Sequence, residues 1–211
     1  MTATFKSWRV AAAIAVVVAS AGCGHMATDS RSPVQLGIAS LSAASGATPD
    51  EFGSTLASDV ITNVKKTVDG QQVDVPTIFG DPGTAQFFLV LKDPGANPSS
   101  PASPTPLNSV TVTRYRVVYR RTDGHNTPGV DVPYPFDAAV TVTIGADGAS
   151  SGFQLVRNSA KLDAPLRALA NNPDIISTIA DVTFYGSDQA GNDVSATGSI
   201  SVDFGNFGDP E

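Results

Sequence analysis

A single cysteine, Cys23, and a single tryptophan, Trp8, serve a chain of 211 residues. One cysteine excludes an intrachain disulfide, so any core must hold by packing alone. The two histidines, His25 and His125, cannot supply the clustered His/Cys set that structural zinc sites use, and no metal is expected. Basic residues are also scarce, 13 against 20 acidic ones, for a net charge of −7. An acidic surface repels phosphate backbones, which argues against nucleic acid as a partner. The longest apolar run, Val10 to Ala19, is shorter than the roughly 20 residues a transmembrane helix needs.

That short run follows Lys6 and Arg9 and leads into Ser20-Ala21-Gly22-Cys23, the layout of a secretion signal over residues 1–22. The Ala21-Gly22-Cys23 ending resembles the bacterial lipobox, although Ser20 stands where that motif prefers Leu, Val or Ile. The resemblance implies that Cys23 is lipidated and becomes the first mature residue, so that the partner on this side is a membrane reached through a lipid anchor. The bland alternative is a free thiol beside an ordinary cleavage site. Gly24 occupies the place where an aspartate acts as an inner-membrane retention signal in some Gram-negative bacteria. In a host with two membranes this points to the outer membrane or cell surface. Cleavage would leave 11 basic and 20 acidic side chains, a net charge of −9. The lipid, not charge, would then hold the protein at the membrane. Residues 23–31 are small and polar and read as a flexible tether, with His25 solvated in it.

The mature chain reads as strands. From Val194 the even positions Val194, Ala196, Gly198, Ile200, Val202 and Phe204 are apolar or small, and the odd ones are polar. Successive strand side chains point to opposite faces, so this stretch offers one face to a core and one to water. With Val182 and Phe184 before it and Asp188-Gln189-Ala190-Gly191-Asn192 between, it forms a hairpin. Val34, Leu36 and Ile38 alternate, as do Ala138, Val140, Val142 and Ile144; Leu56 to Val64 is a mixed run, and Val73 and Val75 precede Pro76. Ala85, Phe87, Leu89 and Leu91 enclose Phe88 and Val90, an apolar strand expected to be covered on both faces. In Val110 to Tyr119 the apolar parity switches from even to odd, which predicts a bulge near Arg114. Residues 92–108 contain five prolines and almost no apolar bulk. They read as an exposed loop within one domain, 32–207, in preference to an interdomain linker. Asp163, Pro165 and the row Leu162, Leu166, Leu169 predict a short crossover helix. Eight or nine strands with one such helix predict an all-β fold, an antiparallel β-sandwich.

The Asp188-x-Ala190-Gly191-Asn192 turn resembles the D-x-A-G-N turn before the last strand of bacterial immunoglobulin-like domains, and Tyr115-Arg116-Val117-Val118-Tyr119 is similar to the third strand of fibronectin type III modules. These likenesses imply an immunoglobulin-like sandwich used for binding, spacing or assembly. The buried tryptophan of those families is missing, since Trp8 lies in the signal segment.

The irregular stretch 122–137 holds the candidate binding residues Tyr134 and Phe136, set among Pro133 and Pro135, together with Asp123 and His125. Aromatics held stiffly suit contact with an envelope protein or glycan; alternatively both rings cover an open edge of the sandwich. Gly148-Ala149-Ser150-Ser151-Gly152 spells a nucleophile-elbow string, but a strand follows it and the domain histidine precedes it, so no catalytic residue is assigned. Asp188, Asn192 and Asp193 offer oxygen ligands that a calcium ion could use, but their spacing is not that of a calcium loop, and turn chemistry accounts for Asp188 and Asn192 without a metal. No cofactor is expected. The leading expectation is a lipid-anchored binding module. A passive spacer or assembly subunit is the second, and a hydrolase with two unrecognised carboxylates the third.

Overall fold

The computed structural model describes residues 31–97 and 99–207. The signal segment, Cys23, His25 and the tether up to residue 30 lie outside the described residues.

The alternation that begins at Val194 becomes the long strand Asp193–Gly205, whose Val194, Ile200, Val202 and Phe204 are buried while the serines between them face water. In chain order the strands are β1 Val34–Ala43, β2 Thr55–Asp59, β3 Thr62–Val68, β4 Gln71–Thr77, β5 Asp81–Leu91, β6 Val110–Arg120, β7 Phe136–Ile144, β8 Ala149–Val156, β9 Ile176–Asp188 and β10 Asp193–Gly205. The fold is therefore all-β, with ten strands among the described residues. The excess over eight or nine arises where Leu56 to Val64 divides into β2 and β3, and where Val73 and Val75 form β4.

The strands make a three-stranded sheet, β1-β5-β8, a five-stranded sheet, β2-β10-β9-β6-β7, and a separate two-stranded ribbon, β3-β4. All pairings are antiparallel except β2 with β10, which is parallel. The two larger sheets face each other across an aromatic centre. Phe87 of β5 meets Phe184 of β9 edge-on with centroids 4.9 Å apart, and Phe153 of β8 meets Phe184 and Tyr115 of β6 at 5.3 Å each. Such edge-to-face pairs add to the burial of their area. β6 also fastens the layers by hydrogen bonds. The Tyr119 hydroxyl donates to the Leu155 carbonyl at 2.6 Å, and the Tyr115 hydroxyl accepts from Gln154 N at 3.0 Å. Both act on the backbone of β8, an edge strand that would otherwise leave these groups unpaired.

The register of β6 slips between Val112 and Arg114 against both neighbours, which moves the buried set from even to odd positions. Two expectations need correction. Phe88 and Val90 of β5 are 41% and 47% exposed, because no layer among the described residues covers the outer face of the three-stranded sheet. Phe88 lies instead over Gly37 of β1, where an added Cβ would stand 2.3 Å from the ring. The crossover is not one helix but two short pieces, α1 Asn158–Leu162 and a 3-10 helix, Leu166–Asn171. Leu166 and Leu169 are buried, but Leu162 is 55% exposed and Lys161 takes the inward position. Helical phase does not carry through Asp163-Ala164-Pro165, where the chain is not helical.

These registers give the molecule two ends. At one, Arg31 and Ser32 enter β1 beside Val194 and the Asp188–Asn192 turn, and β5 ends where β6 begins. At the other lie the β1–β2 connection, the β3-β4 ribbon, residues 121–135 and α1. β10 spans the distance with 13 residues, roughly 40 Å at about 3.3 Å per residue.

Candidate functional site: the connection between β6 and β7

Residues 121–135 leave β6 after Arg120, at the end far from Arg31, and fold on their own hydrogen bonds. Arg121 N donates to Asn126 Oδ1 at 2.6 Å, and Asn126 Nδ2 returns a bond to the Arg121 carbonyl at 3.3 Å. Asp123 accepts from His125 N at 3.1 Å and is clasped by the Arg121 guanidinium. This guanidinium, with the His125 amide behind it, holds the Asp123 carboxyl down to about 2. A second tier begins at Thr127, whose N–H donates to Asp131 Oδ2 at 3.0 Å and lowers the Asp131 pKa. Its carbonyl accepts from Val130 and Asp131, and Gly129 N closes the turn on the Val132 carbonyl at 2.8 Å. Gly124 and Gly129 have φ of 85° and 77°, the left-handed region glycine enters without strain.

This scaffold separates the two candidate aromatics. Tyr134 is 57% exposed, and its ring lies against Gly129, where a Cβ would stand 2.3 Å from the hydroxyl oxygen. Phe136, the first residue of β7, is 5% exposed. Its ring is capped by the Arg157 guanidinium at 4.2 Å and meets Tyr115 edge-on at 6.2 Å. Phe136 is therefore part of the core, and of the pair only Tyr134 offers a surface. His125 is exposed, with Nδ1 3.5 Å from Asp123 Oδ2, so these two polar candidates do touch. Val130, 66% exposed, is an apolar surface residue that the aromatics had overshadowed.

Elsewhere, the Gly148–Gly152 string turns into β8, with Ser150 and Ser151 on an extended strand, so no elbow presents a nucleophile. The Asp188 carboxylate is engaged by Ala190 N, Asn192 N and Asn192 Nδ2 at 2.8 to 2.9 Å, the chemistry of a turn. Among the described residues no three His, Cys, Asp or Glu side chains converge to hold a metal ion.

Comparison with protein-family models, curated proteins and solved structures finds no match for this chain.

The side-chain cluster that gave no sign in the sequence is buried. Asp81, at the start of β5, accepts from Ser58 Oγ at 2.6 Å, Gly46 N at 2.8 Å and Lys161 Nζ at 3.0 Å. Ser58, Asp81 and Lys161 are all buried, and their bonds join β2, β5 and the segment after β8. A groove near the Arg31 end is lined by Val34, Leu36, Lys92 and Val194.

Proposed function

We propose that this is a lipid-tethered envelope protein whose domain is immunoglobulin-like and binds a protein or glycan partner at the end remote from its tether. The fold assignment is supported by strand order. β1-β5-β8 follows the A-B-E order of such domains, and β6, β9 and β10 lie side by side as their C, F and G strands do. The tether rests on the Ala21-Gly22-Cys23 ending and on the short h-region before it. No helix among the described residues is long and apolar enough to cross a membrane.

The observation that carries the binding reading is the polarity of the domain. The chain enters at one end, while Tyr134 and Val130 stand exposed at the other on a connection locked by its own hydrogen bonds. A rigid, exposed ring loses little entropy on contact, which favours a recognition role over a mobile loop. Asp123 and His125 would supply the polar rim.

The test is photo-crosslinking in living cells from a reactive residue at position 134, with the same residue at Ser199, on the exposed face of β10, as control. A discrete adduct from position 134 alone is the expected result. Equal labelling from both positions, or none from either, would remove Tyr134 from any interface.

A further inference from the structure

The β3-β4 ribbon has an amphipathic pattern that the described residues leave unsatisfied. Its register pairs Val64 with Val75, Lys66 with Val73 and Val68 with Gln71, so all four valines and Lys66 share one face. The other face carries Asn63, Lys65, Thr67, Gln72, Asp74 and Pro76. Strand alternation of this kind normally marks a face that packs on something. Here the two strands pair as a sheet with each other alone among the described strands, and the valines remain 37% to 45% exposed. An isolated two-stranded hairpin is marginal in water, which adds to the demand for a cover.

The edges of the ribbon are blunted, β3 by adjacent lysines and β4 by Pro76, as edges are when strand addition is to be prevented. The face is what remains available. A second copy of the chain is a poor occupant. It would bring another Lys66 and no carboxylate on that face, and each mature copy carries a net −9 from 11 basic and 20 acidic residues. Lys66 itself has no ion pair among the described residues, since Asp74 lies on the opposite face opposite Lys65.

We infer that this face docks an amphipathic segment of a partner protein, apolar toward Val64, Val68, Val73 and Val75 and carrying a carboxylate where it meets Lys66. The inference rests on the binding-module reading and adds to it the chemistry of the partner and a second contact at the same end of the domain. Apolar burial supplies affinity there, and the single charge fixes register.

The experiment uses the full-length chain in the cells that make it, with a photo-reactive residue at position 75 and, as control, at Gln72 on the polar face. The expected result is an adduct from position 75 alone, with the crosslinked partner peptide containing apolar residues and an Asp or Glu. Lys66→Glu should lower its yield at least tenfold and Lys66→Arg should keep it. Changing the partner's carboxylate to lysine should restore the adduct with Lys66→Glu. An adduct with a second copy, with lipid, or with a protein whose yield ignores Lys66→Glu would overturn the inference, as would no adduct. An adduct from position 134 with none from 75 would overturn this inference while leaving the binding module standing.

Discussion

Lys161 Nζ stands 2.9 Å from one oxygen of Asp81 and 3.0 Å from the other, with neither side chain more than 1% exposed. The ammonium also donates to the Asp59 carbonyl at 2.7 Å, and the carboxylate receives Ser58 Oγ and Gly46 N. Both charges are thus compensated without water. The contact ties α1, β5, the end of β2 and the β1–β2 connection, the same end of the molecule that carries the exposed aromatic and the ribbon.

Removing one member leaves the other charge enclosed and unpaired. Lys161→Met is expected to cost about 3–5 kcal/mol, whereas Lys161→Met combined with Asp81→Leu should cost clearly less, because no bare charge stays buried. Equilibrium urea unfolding of both variants reads the difference. Equal losses would show that Lys161 contributes packing alone.

Asp188, whose carboxylate caps a turn, governs a pH dependence of stability. Burial pulls its pKa up, but the bonds from Asn192, Ser32 and Ala190 outweigh it, and the net shift is downward from 3.8. Between the folded pKa and the unfolded one, the unfolded chain binds more protons. Its contribution is therefore full above the unfolded pKa and is lost as pH falls through the folded one. Asp188→Asn should flatten the stability curve below about pH 4, measured as the difference between variant and parent in denaturant midpoint. Parallel curves for the two proteins would assign the acid sensitivity to other carboxylates.

How far the sequence reads as structure depends on how local the cause is. β9 and β10 are legible because period 2 and the turn chemistry sit within one continuous stretch, and the parity switch in β6 is legible because a bulge is a one-residue event. The β3-β4 ribbon is signalled by Asp69-Gly70, whose φ of 50° and 78° suit the turn that such a pair favours, a cue the valines alone do not give. What stays hidden depends on distant partners. Phe88 resembles a core residue until Gly37 is found beneath it, and Lys161 resembles a surface residue until Asp81 is found inside. The candidate site divides the same way. Tyr134 and Phe136 look equivalent between and after prolines, and only the position of Arg157 and Tyr115 sends one ring inward.

That division changes how the site must be probed. Phe136 is packed between a guanidinium and a core tyrosine, so Phe136→Ala removes buried contacts and leaves a cavity, with an expected loss of about 3–5 kcal/mol. Tyr134 rests on Gly129 with more than half its surface in water, so Tyr134→Ala should stay within about 0.5 kcal/mol of the parent. Urea unfolding of the two single variants checks this. A large loss for Tyr134→Ala would mean that its ring supports the fold of residues 121–135, and a binding defect in that variant would then say nothing about recognition. With the expected result, a defect in Tyr134→Ala reports the surface, whereas one in Phe136→Ala reports unfolding. The double variant would mix the two and should not be used.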